Sequence, residues 1–302
     1  MRPALDFETY SEAGHIWDET TQKWRMPEGA RKKGLESVGA PAYSEHPTTE
    51  VLTGSYDLLD GKGIRRLGPH LPPPEDLFIH VTRPGAELES HNAMFERLIW
   101  ANVCVPRYGW PPLPPGVQRC SMATARVNSL PGKLDALGDV LRLETRKDKE
   151  GKRLLDKFSV PRNPTKADSR RRIRPEDDPE DFERLCLYCD RDVQTEQAAS
   201  SAMPPMSPSE LEIWQINQEM NWRGIGIDRP AVLDCRAVLE AVLERYGAEC
   251  REITGGIGPS QVQALVGWIQ GRMHGPTFRS NGAGGYGFSQ QYDEDLADDI
   301  PF

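Results

Sequence analysis

Apolar and acidic side chains alternate at the start of the chain. Leu5 and Phe7 lie two apart, as do Asp6 and Glu8, the spacing that puts like residues on one face of a β-strand. A strand is predicted, with Leu5 and Phe7 toward a core and the two acids side by side on the opposite face. The stretch to about 47 has no strong period and reads as loop with one short helix. Residues 49–56 and 63–67 predict two paired strands around the turn signal Asp60-Gly61. Pro72, Pro73 and Pro74, followed by Glu75 and Asp76, open a short helix to 81, and 87–90 is a brief strand. From 93 to 103, Met94, Phe95, Leu98, Ile99 and Val103 recur at helical spacing, and Pro106 with the prolines of 111–115 is expected to end that helix.

A second amphipathic helix over 132–143 carries Leu134, Leu137, Val140 and Leu141. Asp178-Pro179-Glu180 then supplies cap, first-turn proline and acid for a helix to about 202, in which Tyr188 and Asp192, four apart, share a face. Prolines at 204, 205 and 208 mark a boundary, and Ser207-Pro208-Ser209-Glu210 is a capping box that starts another helix with Leu211, Trp214 and Met220. Helices over 230–253 and 260–271 follow. Between them Gly255-Gly256-Ile257-Gly258 lacks the Lys-Ser/Thr of a phosphate loop. Beyond Gly275 the composition turns to Gly, Ser, Asn and Gln without apolar period, which predicts a flexible linker before an acidic end.

Composition narrows the class. The 302 residues suffice for about two domains, and 37% hydrophobic against 27% charged residues describes a globular chain whose 26 prolines imply long loops. There is no apolar leader and no run long enough to cross a bilayer, so a cytoplasmic location, in a bacterial or phage-infected cell, is expected. The six cysteines are scattered. Cys186-x-x-Cys189 has no second pair to complete a zinc site, so these read as reduced thiols. The net charge of −9 is uneven: residues 142–174 carry 13 Lys/Arg against five Asp/Glu. That segment reads either as a long solvated connection or as a surface for phosphates.

Three separated groups carry candidate chemistry: Asp6-x-Glu8, His91-Asn92-x-x-Phe95-Glu96 and Tyr188-x-x-x-Asp192. Paired carboxylates repel unless a cation lies between them, and hard oxygen donors suit magnesium or manganese. In order and in strand, helix, helix context these groups resemble the three motifs of the DnaQ-like, DEDD-type 3′–5′ exonucleases. With His46-Pro47-x-Thr49-Glu50-Val51-Leu52 added, the wording is similar to the proofreading domain of phage-type family A DNA polymerases, over roughly residues 1 to 275.

The resemblance implies an α/β, ribonuclease H-like fold, a mixed central sheet flanked by helices. It implies two divalent cations, Mg2+ or Mn2+, held by Asp6, Glu8, Glu96 and Asp192, with Tyr188 orienting the attacking water. It also implies a substrate-binding set of Phe7, Thr9, His91, Asn92 and Phe95 at single-stranded or frayed DNA 3′ ends. Phe7 and Phe95 would then flank a terminal base, where a structural reading makes them core; for His91 and Asn92 the structural alternative is a satisfied turn. The chain departs from the pattern at Glu96, where the family has aspartate.

Residues 1–205 are expected to form the exonuclease domain and 206–275 a helical remnant of a polymerase start, since Met220-Asn-x-Arg-Gly-Ile-x-Ile-Asp228 resembles that opening. Too few residues follow for palm and fingers, so no synthesis is expected. Residues 276–302 form a linker and tip. There Asp298, Asp299, Ile300, Pro301 and Phe302 resemble the C-terminal tip of bacterial single-stranded-DNA-binding proteins, which implies docking on host replication or repair proteins. Two other readings stand beside the exonuclease: a non-catalytic binder of DNA ends or host proteins, and a tail that folds back on the basic segment as a restraint.

Overall fold

The computed structural model describes residues 1–114, 116–143, 149–272, 279–280 and 286–287. Its contacts divide the chain into two units, Met1–Arg223 and Gly224–Phe302.

The first unit is built on a five-stranded sheet in which β1 (Ala4–Tyr10) is central. On one side β1 pairs antiparallel with β4 (Glu50–Asp57), which pairs antiparallel with β5 (Arg65–Leu67). On the other side it runs parallel to β6 (Leu88–Ser90), and β6 runs parallel to β7 (Gln118–Cys120). The acidic strand is therefore the middle of the sheet rather than a solvated edge. Leu5 and Phe7 enter an apolar cluster with Val81 of α2 (Glu75–Val81), Ile99 of α3 (Ala93–Ile99) and Trp100. The face bearing Asp6 turns toward the long helix α8 (Pro179–Ala202), where the Cys189 thiol lies 3.5 Å from Oδ2 of Asp6. Burying Leu5 and Phe7 contributes about 1.5–3 kcal/mol each. A one-residue slip of β1 would exchange them for the acids, so apolar burial fixes where the carboxylates point.

Two glycines permit close packing beside those acids. A Cβ on Gly54 of β4 would lie 2.9 Å from the carbonyl oxygen of Asp6 and 2.7 Å from Leu67. A Cβ on Gly151 of α7 (Lys149–Phe158) would lie 2.1 Å from the ring of Tyr188. The ladder slips between Glu8 and Thr9, which leaves Leu52 out of the pairing. Leu52 packs instead with Tyr10, Tyr188 of α8 and Leu154 and Phe158 of α7 in a second cluster, on the acids' side. A third cluster joins α5 (Ser121–Val127), α6 (Leu134–Leu141) and α8 through Ala125, Leu137 and Ala199.

Several elements differ from the sequence expectation. Pro106 does not end its helix. Residues Trp100–Cys104 form a π-helical segment in which the Val105 N–H donates to the Trp100 carbonyl five residues back. The widened turn accommodates the proline in α4 (Val105–Tyr108), and Gly109 at φ 70° ends the helix. The segment between the prolines and α6, to which the sequence pattern assigns no element, contains β7 and α5. The basic stretch is not a plain connection, because α7 lies within it and buries Gly151, Leu154 and Phe158 at helical spacing. The loop after β1 holds a hairpin, β2 (Ile16–Asp18) with β3 (Lys23–Arg25), before α1 (Leu35–Glu45), which is broken at Gly39.

The capping box at Ser207 does start a helix, α9 (Pro208–Arg223), with Glu210 accepting from the Ser207 N–H at 2.9 Å. The unit boundary falls after it rather than before. Glu219 pairs with Arg97 of α3 at 2.8 Å, and the Arg97 guanidinium lies 4.3 Å over Trp222, which ties α9 to the sheet domain. The second unit contains α10 (Arg229–Thr254), capped by the Asp228 carboxylate and ended by Gly255 at φ 77°, then α11 (Val262–Gln270). Among the described residues no helix is long and apolar enough to cross a membrane.

Gly151→Ala is expected to destabilise the protein by about 1–3 kcal/mol, because the ring of Tyr188 has packed neighbours and cannot yield freely. Urea unfolding measures this, and a parent-like midpoint would contradict the packing described.

Candidate functional site

β1 presents Asp6 and Glu8 to α8, and one ligand atom from each, with the Cys189 sulfur, lies within 4.8 Å of the others. Burial, then the charges of Asp6 and Glu8, push the Cys189 thiol well above its usual pKa. It therefore stays protonated and donates weakly to Asp6, a neighbour of the hard oxygen donors rather than a thiolate.

Glu96 arrives from the first turn of α3 and is buried. Burial, then the charge of Asp6, raises its carboxyl well above the ordinary range. Its Oε2 has no hydrogen-bond partner among the described residues. Its carboxyl thus feels the charge of Asp6, although it is not one of the groups whose ligand atoms lie within 4.8 Å of one another.

From α8, Tyr188 and Asp192 face the same place one turn apart. Burial first, then the charges of Asp192 and Glu8, raise the Tyr188 phenol, whose hydroxyl donates to Asp192. At neutral pH it stays protonated and acts as a hydrogen-bond donor. Asp192 and Asp6 line a cleft of about 340 Å³ with His91, Gly132, Lys133 and Glu196.

Glu196, absent from the sequence-derived set, continues the Tyr188–Asp192 stripe by one more turn. It is buried, and its carboxyl is raised by burial and by the charges of Glu89, Asp6 and Glu96. Ser121 Oγ lies 3.2 Å from it and 2.9 Å from Nδ1 of His91. Nε2 of His91 lies 2.9 Å from the Gly132 carbonyl, which can only accept, so Nε2 carries a proton. The ring thus bridges the end of β6 to the turn before α6.

The remaining residues of the expected substrate set are not gathered equally. Asn92 is exposed at φ 73°, at the N-terminus of α3, with no side-chain cap bond. Phe95 is half-buried against the core, its ring 6.0 Å from that of Tyr43. The Thr9 hydroxyl is buried against the Tyr43 hydroxyl at 2.9 Å. Phe7 corrects the expectation that it flanks a base. Strand alternation turns it away from the acids, and it is buried 6.2 Å from Trp110. Asp298, Asp299, Ile300, Pro301 and Phe302 lie outside the described residues.

Fold and site together define an α/β protein whose mixed sheet brings Asp6 of its central strand together with Asp192 and Glu196 of α8 at one cleft. Over 249 residues the chain is 34% identical to a DNA polymerase of Bacillus phage SP02, an alignment that takes in 78% of the chain. It covers 36% of that polymerase, so the chain spans about a third of the relative's length. No family model matches the chain.

The buried acids set a pH dependence. A carboxyl with a raised pKa binds more protons folded than unfolded above the ordinary carboxylate range, so its contribution falls as pH rises through that window. Glu196→Gln keeps the shape and the Ser121 contact but removes the charge. In EDTA the variant is expected to melt above the parent at pH 8 and with it at pH 4.5. Equal melting temperatures at both pH values would contradict the burial of a repelled carboxyl.

Proposed function

We propose that the protein is a metal-dependent 3′–5′ exonuclease that removes nucleotides from DNA 3′ ends, with Asp6, Glu8, Glu96 and Asp192 holding two divalent cations. The observation that carries this reading is the gathering of acids from β1, α3 and α8, with ligand atoms of Asp6 and Glu8 within 4.8 Å of one another and a buried Glu96 that feels the charge of Asp6 and whose Oε2 has no hydrogen-bond partner among the described residues. Such crowding is costly without positive charge, and carboxylate oxygens suit Mg2+ or Mn2+. The strand order, with successive antiparallel pairings through β4 and β5 on one side of β1 and parallel pairings through β6 and β7 on the other, supports a ribonuclease H-like fold. Similarity to a phage DNA polymerase supports DNA as the substrate.

When bound, the cations supply an acidified water and a counter-charge for the leaving 3′ oxygen. The chain's own residues do the positioning. Tyr188, whose single phenolic proton is donated to Asp192, orients the attacking water by accepting a hydrogen bond from it on the phenol oxygen; it is not a free base. His91 is fixed between Ser121 and the Gly132 carbonyl and forms one wall of the cleft. Asn92, exposed at the start of the helix that brings Glu96, is the residue of that turn placed to hydrogen-bond a terminal nucleotide. The burial of Glu96 beside Asp6 argues against the non-catalytic alternative, in which that residue would spoil the site.

End-labelled single-stranded DNA with and without Mg2+ or Mn2+ tests the proposal. Release of mononucleotides is expected with metal and none in EDTA. Asp6→Ala and Asp192→Ala are expected to abolish it, and Tyr188→Phe to slow it about 10–100-fold, as for groups that orient others. Parent-like degradation by Asp6→Ala, or a parent that never shortens DNA in either metal, would refute the assignment.

A further inference from the structure

Where β1 leaves the sheet a groove of about 540 Å³ opens, walled by the connection between α7 and α8, the turn before β4, and Arg107 of α4. It runs into a larger one of about 1090 Å³, with which it shares Glu50, Arg107, Arg172 and Arg174. Tyr10 lines the smaller part. It is two residues past Glu8 on the same face of β1, about 7 Å along the strand. The groove therefore leads away from the acidic cleft.

Arginines 107, 170, 171, 172 and 174 line it, and they are not equally engaged. Arg172 pairs with Glu50 and stacks 3.6 Å over Tyr10, while Arg170 pairs with Asp168 at 2.9 Å and Asp177 at 2.7 Å. These two frame the groove with their charge compensated. Arg107 donates to the Pro47 carbonyl at 2.9 Å, and Arg171 lies 3.8 Å over Trp17. A carbonyl or an indole orients a guanidinium without cancelling its charge. Arg174 meets Glu176 only at 3.9 Å, with side chains 66% and 65% exposed, a geometry worth little.

The support for Arg171 is built. Trp17 packs edge-on to Trp24 at 5.3 Å, and the Trp24 backbone N–H donates to Asn163 in the α7–α8 connection at 2.6 Å. Arg171 lines only the smaller part of the groove, whereas Arg107 and Arg174 line both. All three line the smaller part and two of them continue into the larger, an extended lining that suits a chain of phosphates better than a single small anion.

We propose that this groove holds the sugar–phosphate backbone of the single nucleic-acid strand whose 3′ end lies at the carboxylates, with Arg107, Arg171 and Arg174 as its phosphate contacts. The inference rests on the exonuclease reading for the identity of the strand. The Arg171–Trp17 stack adds a flat surface on which a base can lie.

The test is equilibrium binding of fluorescein-labelled oligothymidylates of 4 and 16 nucleotides to the full chain in EDTA, by anisotropy across a salt series. Arg107→Ala/Arg171→Ala/Arg174→Ala is expected to bind the 16-mer at least tenfold more weakly than the parent. Its log K against log salt slope should be smaller by about 2, since each phosphate contact on a single strand contributes about 0.7. The loss should be smaller on the 4-mer, and the triple lysine variant should recover most of it. A triple alanine variant that binds the 16-mer with parent affinity and slope overturns the groove while leaving the exonuclease reading intact. A parent that binds neither strand overturns both. If the triple variant misfolds, the single variants Arg107→Ala and Arg174→Ala, at exposed positions, replace it: each is expected to weaken 16-mer binding and lower the slope, and parent-like values in both overturn the groove.

Discussion

Crowded like charge is the constraint on which this structure turns. Asp6 and Glu8 project from the middle strand of a sheet, Glu96 enters from α3, and Asp192 and Glu196 from successive turns of α8, all into a largely buried region. Two of these carboxyls, Glu96 and Glu196, are held well above the usual range by burial and by the charge of their neighbours. In water such groups would separate; here apolar burial on the other face of β1 and along α8 keeps them together. The arrangement stores a standing preference for positive charge at one place, and that preference is what the proposed cations would satisfy.

The surroundings narrow what that charge can do. The phenol of Tyr188 and the thiol of Cys189 both stay protonated beside the carboxylates, so each serves as a donor and neither as a nucleophile. The backbone of Gly151 lies against the Tyr188 ring, and Gly54 lets β4 approach the Asp6 carbonyl, so the acids are backed by tight packing rather than loose loops. His91, bonded at both ring nitrogens, links the end of β6 to the turn before α6. Positioning at this level requires supporting groups that are themselves locked.

Much of this was legible in the chain because the informative spacings are local. A two-residue interval put Asp6 and Glu8 on one face, and a four-residue interval put Tyr188 and Asp192 on another, whatever the tertiary fold. The same interval extends to Glu196, which the motif alone did not include. Cys189 was hidden for a different reason: its neighbour is a strand 183 residues away, and no spacing within α8 reveals that. Helix α7 was obscured by its own charge, since Gly151, Leu154, Leu155 and Phe158 keep helical spacing inside a stretch dense in Lys and Arg. Pro106 misled because the rule that proline ends a helix presumes α geometry, and the chain widens to a π turn first. Phe7 was read toward the substrate through the family resemblance, while simple strand alternation had already placed it in the core.

The central claim, that these acids form a centre for divalent cations, is tested most directly by calorimetric titration of the metal-free protein with Mn2+ in two buffers of different ionisation enthalpy at neutral pH. A cation entering beside the raised Glu96 carboxyl must displace its proton. Saturable binding with net proton release, lost in Asp6→Ala, is the predicted result. Absence of saturable Mn2+ binding, or binding that survives unchanged in Asp6→Ala, would contradict the account.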